Sequence, residues 1–279
     1  MTRQEMIAHA YAEDIPRGDI TTDSIGLKSR TGDAKVVAKE DLVMAGRNMF
    51  EDCIRHVIPE MQLKWQFKDG DFILKGQTVC WLKGDLALLL RAERVALNYL
   101  GRLSGIASLT RCFVQEITGT KCQILDTRKT TPLWRELEKA AVRAGGGTNH
   151  RMDLSSAIMV KENHMRAAGG MKEALRAIRS KTSEAIEVEC STIEEVSMAV
   201  NERVQRIMLD NMSTAEMRQA RTLIPATIQV EASGNMNLAR VREVAETGVD
   251  FISVGALTHS APCADYSMLF EWREPEDKK

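Results

Sequence analysis

From residue 120 onward short apolar runs alternate with amphipathic helical stretches, and this alternation constrains the chain more than any other feature. The runs fall at residues 122–125, 157–160, 186–188, 206–209, 227–230 and 251–254. Short β-rich runs separated by helices predict parallel strands joined by right-handed crossovers, because a parallel pair needs a connection long enough to hold a helix. Six β/α units are expected.

Each run ends in polar residues. Asp126, Thr127, Arg128 and Lys129 follow the first, Lys161 to His164 the second, Glu189 closes the third, Asp210 and Asn211 the fourth, Glu231 with Ser233 and Gly234 the fifth, and Gly255 the sixth. An open doubly wound sheet gathers functional groups at one switch point, whereas a barrel brings all its strand ends around one mouth. Polar groups at every strand end therefore favour a barrel, and six strands instead of eight make it short or incomplete.

The preceding segment, residues 1–119, reads differently. It has a helical start to Glu13, a turn at residues 16–19, and β-like stretches at 34–38, 63–67 and 78–82 between Gly- and Asp-rich turns. From Asp85 apolar residues recur at helical spacing, and Ser104-Gly105 predicts a break before a second helical stretch at 106–117. The expected organisation is a first domain over 1–119 ending in a helical connector and a barrel domain over 120–279, with packing of its last residues back on the first domain left open. The charged residues 273–279 are expected to form a frayed end.

Composition narrows the function classes. Lys plus Arg number 38 against 39 Asp plus Glu, so the net charge of -1 gives no global field to hold nucleic acid or membrane. Aromatic residues are 5% and dispersed, which removes the stacking platform that single strands need. No apolar run approaches a membrane span and no signal pattern opens the chain, so the cytoplasm is the expected location. The six cysteines contain no C-x-x-C pair and predict buried reduced thiols. The five histidines show no H-x-H or H-E-x-x-H spacing, and no G-x-S-x-G elbow is present.

A barrel mouth would collect Arg128, Lys129 and Lys161 with His150 and Arg151 from the loop after Gly145-Gly146-Gly147, and would set Glu189 and Asp210 against them. Such a split suits a polyanion on one side and Mg²⁺ or sugar hydroxyls on the other. A lone surface lysine is ordinarily a solvated loop charge; charges recurring at successive strand ends converge only if the fold brings them together. The Gly145-Gly146-Gly147 run lacks the P-loop ending and reads as a helix C-cap. Ser233-Gly234 and Val254-Gly255-Ala256 are the phosphate candidates. His259 is a candidate ligand contact, and His164 is expected to cap the next helix.

These stretches carry a family likeness. The chain resembles quinolinate phosphoribosyltransferases, also called carboxylating nicotinate-nucleotide pyrophosphorylases, in EDIPRGDITTD at 13–23, AERVALNYLGRLSGIASLT at 92–110 and ILDTRKTTP at 124–132. The likeness continues in AVRAGGGTNHR at 141–151, KENH at 161–164, EVEC at 187–190, IMLDN at 207–211 and DFISVGALTHS at 250–260. It implies an N-terminal α/β sandwich-like domain, an incomplete α/β barrel, and transfer of phosphoribose from phosphoribosyl pyrophosphate to quinolinate with decarboxylation, a step of NAD biosynthesis.

The resemblance also implies residue roles, with Lys129, Lys161, Glu189 and Asp210 as catalytic groups. Thr127, Arg128, Lys129, His150, Arg151, Lys161 and His259 would bind the substrates, and Glu189 and Asp210 would hold ribose hydroxyls and Mg²⁺. Ser233, Gly234, Asn235, Val254, Gly255 and Ala256 would hold the 5′-phosphate, and Arg94 would reach across from the second copy of a homodimer. The sequence departs from the family pattern in Leu133-Trp134 after Thr-Thr-Pro, where glycine is usual, in Asn235 for a second glycine, and in Glu162 for aspartate. Other readings are a molybdenum-associated paralogue, against which Lys161 and the intact Thr127 to Thr130 argue, a Schiff-base lyase using Lys161, and a non-catalytic binding protein with a relic pocket.

Overall fold

The computed structural model describes residues 1–27 and 30–271. The expectation for 273–279 lies outside them. The chain divides into two compact units: 1–109 with 143–145 and the segment from Ala261, and 110–142 with 146–260.

The first unit opens with α1 (Arg3–Asp14) and α2 (Ile20–Ile25). Thr2 and Glu5 cap α1 reciprocally, and the Asp19 carboxylate accepts the Thr22 N–H at the start of α2. Then come β1 (Thr31–Ala38), β2 (Leu42–Val43), α3 (Arg47–Val57), β3 (Leu63–Trp65), β4 (Phe72–Ile73), β5 (Thr78–Asp85) and the long α4 (Leu86–Glu116), which continues into the second unit. β1, β3 and β5 form an antiparallel sheet whose outer strand, β12 (Tyr266–Glu271), comes from the far end of the chain.

The predicted break at Ser104-Gly105 does not occur, and α4 is continuous. The small residues there serve close packing instead. A Cβ on Gly105 would lie 1.8 Å from the Pro262 carbonyl oxygen, and one on Gly101 would lie 2.7 Å from that of Ala264. Ser104 Oγ accepts the Ala45 N–H and contacts the Tyr266 hydroxyl, so its polar atom is satisfied inside the core.

The second unit holds β6 (Gln123–Leu125), α5 (Arg135–Ala144), β7 (Ile158–Val160), α6 (Glu162–Ala168), α7 (Met171–Arg179), β8 (Ile186–Cys190), α8 (Ile193–Asn201), β9 (Arg206–Asp210), α9 (Thr214–Leu223), β10 (Gln229–Ser233), α10 (Leu238–Ala245), β11 (Phe251–Ser253) and α11 (Ala256–His259). All six strands run parallel, as expected, and pair in the order β6-β11-β10-β9-β8-β7. β6 and β7 are the two edges of this ladder, so the barrel is incomplete. Side-chain caps start the helices that leave the mouth: Thr192 for α8, Ser213 for α9 and Asn237 for α10 each accept an N–H of the first turn.

Strand periodicity positions the site. Side chains two apart on a strand share a face, so Lys161, Glu189, Asp210 and Ser233 at the strand ends stand above Met159, Glu187, Met208 and Glu231. Barrel interiors are ordinarily filled by branched apolar residues. Here part of that inner layer is charged.

Candidate active site

The C-terminal ends of the strands enclose a cavity of about 760 Å³. Arg128, Lys129, His150, Arg151 and Lys161 line it with Glu189 and Asp210, as the sequence reading expects. Thr127, Ser233, Gly234, Asn235, Gly255, Ala256 and His259 complete the predicted set within it. Two predicted residues are not in the lining. Val254 has a buried side chain and its N–H donates to the Leu125 carbonyl, so it belongs to the ladder. Arg94 lies on α4 in the first unit with its side chain 63% exposed.

The Lys161 ammonium is ion-paired with the Glu189 carboxylate on the adjacent strand. His164 Nδ1 accepts the Lys161 backbone N–H at 3.0 Å, so His164 caps α6 as expected. Burial pulls the Arg151 guanidinium below its usual range and the nearby Arg128 pulls it further, showing how closely these two cations are set. Among the described residues Arg128 Nε is buried without a hydrogen-bond partner. Placing like charges together is costly without a ligand and favourable for a ligand bearing carboxylates or phosphates.

Gly234 and Asn235 after β10 take left-handed φ of 90° and 52°, and Asn211 in the loop after β9, which packs against them, has φ 57°. A Cβ on Gly234 would lie 2.2 Å from Asn211 Oδ1, so only glycine fits. Asn235 takes the positive φ that its substitution for glycine demands, and its amide donates to Asn211 Oδ1 at 3.1 Å. Asn211 in turn donates to Asp210 Oδ2 at 2.7 Å, so the amide pair orients that carboxylate.

Sequence reading missed the framework beneath these groups. Lys139 and Asp126 form a fully buried ion pair. Asp126 also accepts the His150 N–H at 2.8 Å and the Asn149 amide at 2.5 Å, while Lys139 donates to the His150 carbonyl at 3.0 Å. Burial still pushes the Asp126 carboxyl up. Helix α5 reaches the other loop too: Glu138 accepts the Thr131 N–H and hydroxyl, and Arg135 donates to Thr130 Oγ1 and the Met152 carbonyl. This helix therefore ties the Arg128–Lys129 loop to the His150–Arg151 loop.

A second missed group lies one layer below the mouth. His150 Nε2 is 3.5 Å from Glu187 Oε2 and 3.4 Å from Glu231 Oε1. Glu231 also accepts the Ser253 hydroxyl at 2.5 Å and faces Arg206 at 3.4 Å. The available signal was the two-residue step of a strand, which puts Glu187 under Glu189 and Glu231 under Ser233. All six cysteines are free thiols, and none lines the cavity. Cys53, Cys80, Cys122 and Cys190 are buried with thiols pushed up to about 12 by burial, whereas Cys112 and Cys263, expected inside, are exposed.

Parallel strand ends that present cations opposite carboxylates around one cavity define an α/β-barrel enzyme acting on small polyanions. Residues 19–104 match the quinolinate phosphoribosyl transferase N-terminal domain and residues 106–269 its C-terminal domain, and the chain belongs to that family. A "probable nicotinate-nucleotide pyrophosphorylase [carboxylating]" of Synechocystis is 45% identical over 92% of this chain and 88% of its own length. A protein of the same description from Bacillus subtilis is 40% identical over 95% of this chain and 92% of its own. The crystal structure of nicotinate-nucleotide pyrophosphorylase from Ehrlichia chaffeensis superposes with a TM-score of 0.93 at 36% identity, covering 97% of this chain and 99% of that one.

Proposed function

We propose that this enzyme transfers phosphoribose from phosphoribosyl pyrophosphate to the ring nitrogen of quinolinate, giving nicotinate mononucleotide, CO₂ and pyrophosphate. The observation that carries the reading is the convergence of Arg128, Lys129, Arg151 and Lys161 with Glu189 and Asp210 on one cavity. The family and the descriptions of its relatives support it.

The residues divide the work. Arg128, Arg151 and Lys129 hold the acceptor carboxylates by charge-assisted hydrogen bonds and set the ring nitrogen against the sugar carbon. The turn at Ser233 to Asn235, with Gly255 and Ala256, takes the 5′-phosphate. As the bond to pyrophosphate breaks, positive charge grows on the sugar carbon, and the fixed carboxylates of Glu189 and Asp210 stabilise it. Once the ring nitrogen carries the sugar it is cationic, so the electron pair of the breaking carbon–carboxylate bond is held by the ring until a proton replaces the lost CO₂. Lys161 has no Schiff-base role in this scheme and serves as a cation for the anionic groups.

Glu189 and Asp210 are oxygen donors at neighbouring strand ends, the donor type a hard cation takes alongside substrate oxygens. Bound Mg²⁺ would be held by them and would neutralise charge on the departing pyrophosphate. Arg94 is read as the contribution of a second copy of the chain. Its exposed side chain on α4 supports that reading. No helix among the described residues is long and apolar enough to cross a membrane.

The deciding assay is release of labelled CO₂ from carboxyl-labelled quinolinate, with and without phosphoribosyl pyrophosphate and Mg²⁺, with nicotinate as the comparison acceptor. Release that requires phosphoribosyl pyrophosphate is expected. Release without it, or phosphoribosyl transfer to nicotinate alone, overturns the reading.

A further inference from the structure

We infer that Glu187 and Glu231, acting through the His150 imidazole, are positioning residues for the acceptor-binding cation Arg151. The inference rests on the reading of Arg151 as a carboxylate-binding group.

Both ring nitrogens of His150 are already directed at protein atoms. Nδ1 accepts the Arg151 backbone N–H at 2.6 Å, and Nε2 faces the two carboxylates at 3.5 and 3.4 Å. The side chain is only 7% exposed. His150 therefore spends its hydrogen-bonding capacity on placing the backbone of Arg151, whose guanidinium is steadied by the Ala157 carbonyl at 3.0 Å. The acceptor role of Nδ1 defines the tautomer with the proton on Nε2, the atom nearest the carboxylates. Burial opposes charge on this imidazole, but the two carboxylates outweigh it and raise its pKa from the ordinary value to about 9; the Arg151 N–H at Nδ1, which only the neutral ring can accept, works against them.

Charge balance explains why the cluster is a positioning device and not a metal site, although its three donor atoms lie within 4.8 Å of one another. Arg206 supports the layer from β9: it is 3.4 Å from Glu231 and in register with Glu187. The Glu231 oxygen nearest His150 already accepts the Ser253 hydroxyl. A cation placed there would have to displace that hydrogen bond and the Nε2 proton and sit beside a guanidinium. Among the described residues His150 Nε2 has no well-aligned hydrogen-bond partner, so its N–H is held by the attraction of the two nearby carboxylates more than by hydrogen-bond geometry. Facing the ring are Glu187 from β8, Glu231 from β10 and Arg206 from β9, with Asp126 at the end of β6 holding its backbone.

The test compares Glu187→Gln, Glu231→Gln and His150→Ala, singly and combined, in the full chain. Glu187→Gln leaves the Arg206–Glu231 pair in place and is the variant expected to fold best. Each Gln variant is expected to raise KM for quinolinate about tenfold with a smaller fall in kcat and little change in KM for phosphoribosyl pyrophosphate. Adding His150→Ala to either should add nothing beyond His150→Ala alone, because the glutamates act through that ring. Additive losses, or an effect on phosphoribosyl pyrophosphate instead of quinolinate, overturn the proposal. ¹⁵N spectra of the His150 ring read positioning without substrate: an Nε2 that stays protonated in the native protein and a mixture of Nε2–H and Nδ1–H rings in the Gln variants support it, and an unchanged ring overturns it. A native protein that fails to use quinolinate yet shows this ring response would refute the functional reading while leaving the Glu–His linkage intact. Stoichiometric Zn²⁺ or Mn²⁺ binding lost in Glu187→Gln would make the cluster a metal site and overturn the proposal.

Discussion

Lys161 at the end of β7 and Glu189 at the end of β8 are ion-paired to each other at the cavity mouth. In the proposed mechanism Lys161 serves anionic groups and Glu189 the sugar, so substrate would have to part this pair, and both charges would become available only when a ligand replaces the lost contact. Glu189→Gln should therefore lower turnover at least about a hundredfold, since the carboxylate faces charge that develops only in the transition state. Labelled CO₂ release measures this, and circular dichroism should show an unchanged fold.

Lys139→Met should be a folding defect first. The Lys139–Asp126 pair has both side chains at 0% exposure, and removing one partner leaves a buried charge, at a cost of roughly 3 to 5 kcal/mol. Urea denaturation reads the loss. Near-native stability would mean that Asp126 finds its compensation elsewhere.

Leu133 occupies φ 69° with its side chain in solvent, at the position where glycine is usual in the resembling sequences. Leu133→Gly removes a left-handed strain of about 1 kcal/mol and gives back part of it as unfolded-state entropy. A small rise in melting temperature is expected; a fall would show that the exposed leucine makes a stabilising contact in the assembled enzyme.

Asp153 accepts hydrogen bonds from the Ser156 and Ser155 hydroxyls and the Ser155 N–H, which hold its carboxyl at about 2. A depressed carboxyl contributes stability above its unfolded value and loses it as pH falls through the folded one. The turn at 153–156, between Arg151 and β7, should therefore stay ordered at pH 4 and loosen as pH approaches 2. Carboxyl ¹³C titration checks this, and a midpoint near 4 would contradict it.

If Arg94 serves a neighbouring chain's cavity, inactive Arg94→Ala mixed with inactive Lys161→Ala should regain about a quarter of native activity per site through random hybrid dimers carrying one intact site. Absence of recovery despite demonstrated subunit exchange would count against a shared site.

Much of the site was readable because strand ends are local features. An apolar run followed by Thr-Arg-Lys, Lys-Glu-Asn or Asp-Asn places those side chains at a barrel mouth once the β/α order is recognised, and all but Arg94 and Val254 of the predicted set line the cavity. Glu187 was less visible, because Glu189 two positions on drew the assignment, and Glu231, although read as a strand-end polar residue, gave no sign that it would meet His150. Lys139, Glu138 and Arg135 carry no local signal that sets them apart from other charged helix residues. The burial of Glu138 and Lys139 and the loop contacts of Arg135 depend on segments that α5 meets only in the folded chain.

The amino-acid order by itself determined six parallel strands and the chemistry at their ends, since hydrophobic period and crossover length act over a few neighbouring residues. Tertiary structure alone decided which charges neutralise one another and which face the cavity. It paired Lys161 with Glu189, turned His150 toward Glu187 and Glu231, and carried α4 unbroken past Ser104-Gly105 against residues 262–264. A charge's partner and a glycine's neighbour are set by segments distant in sequence, and no local pattern encodes that distance.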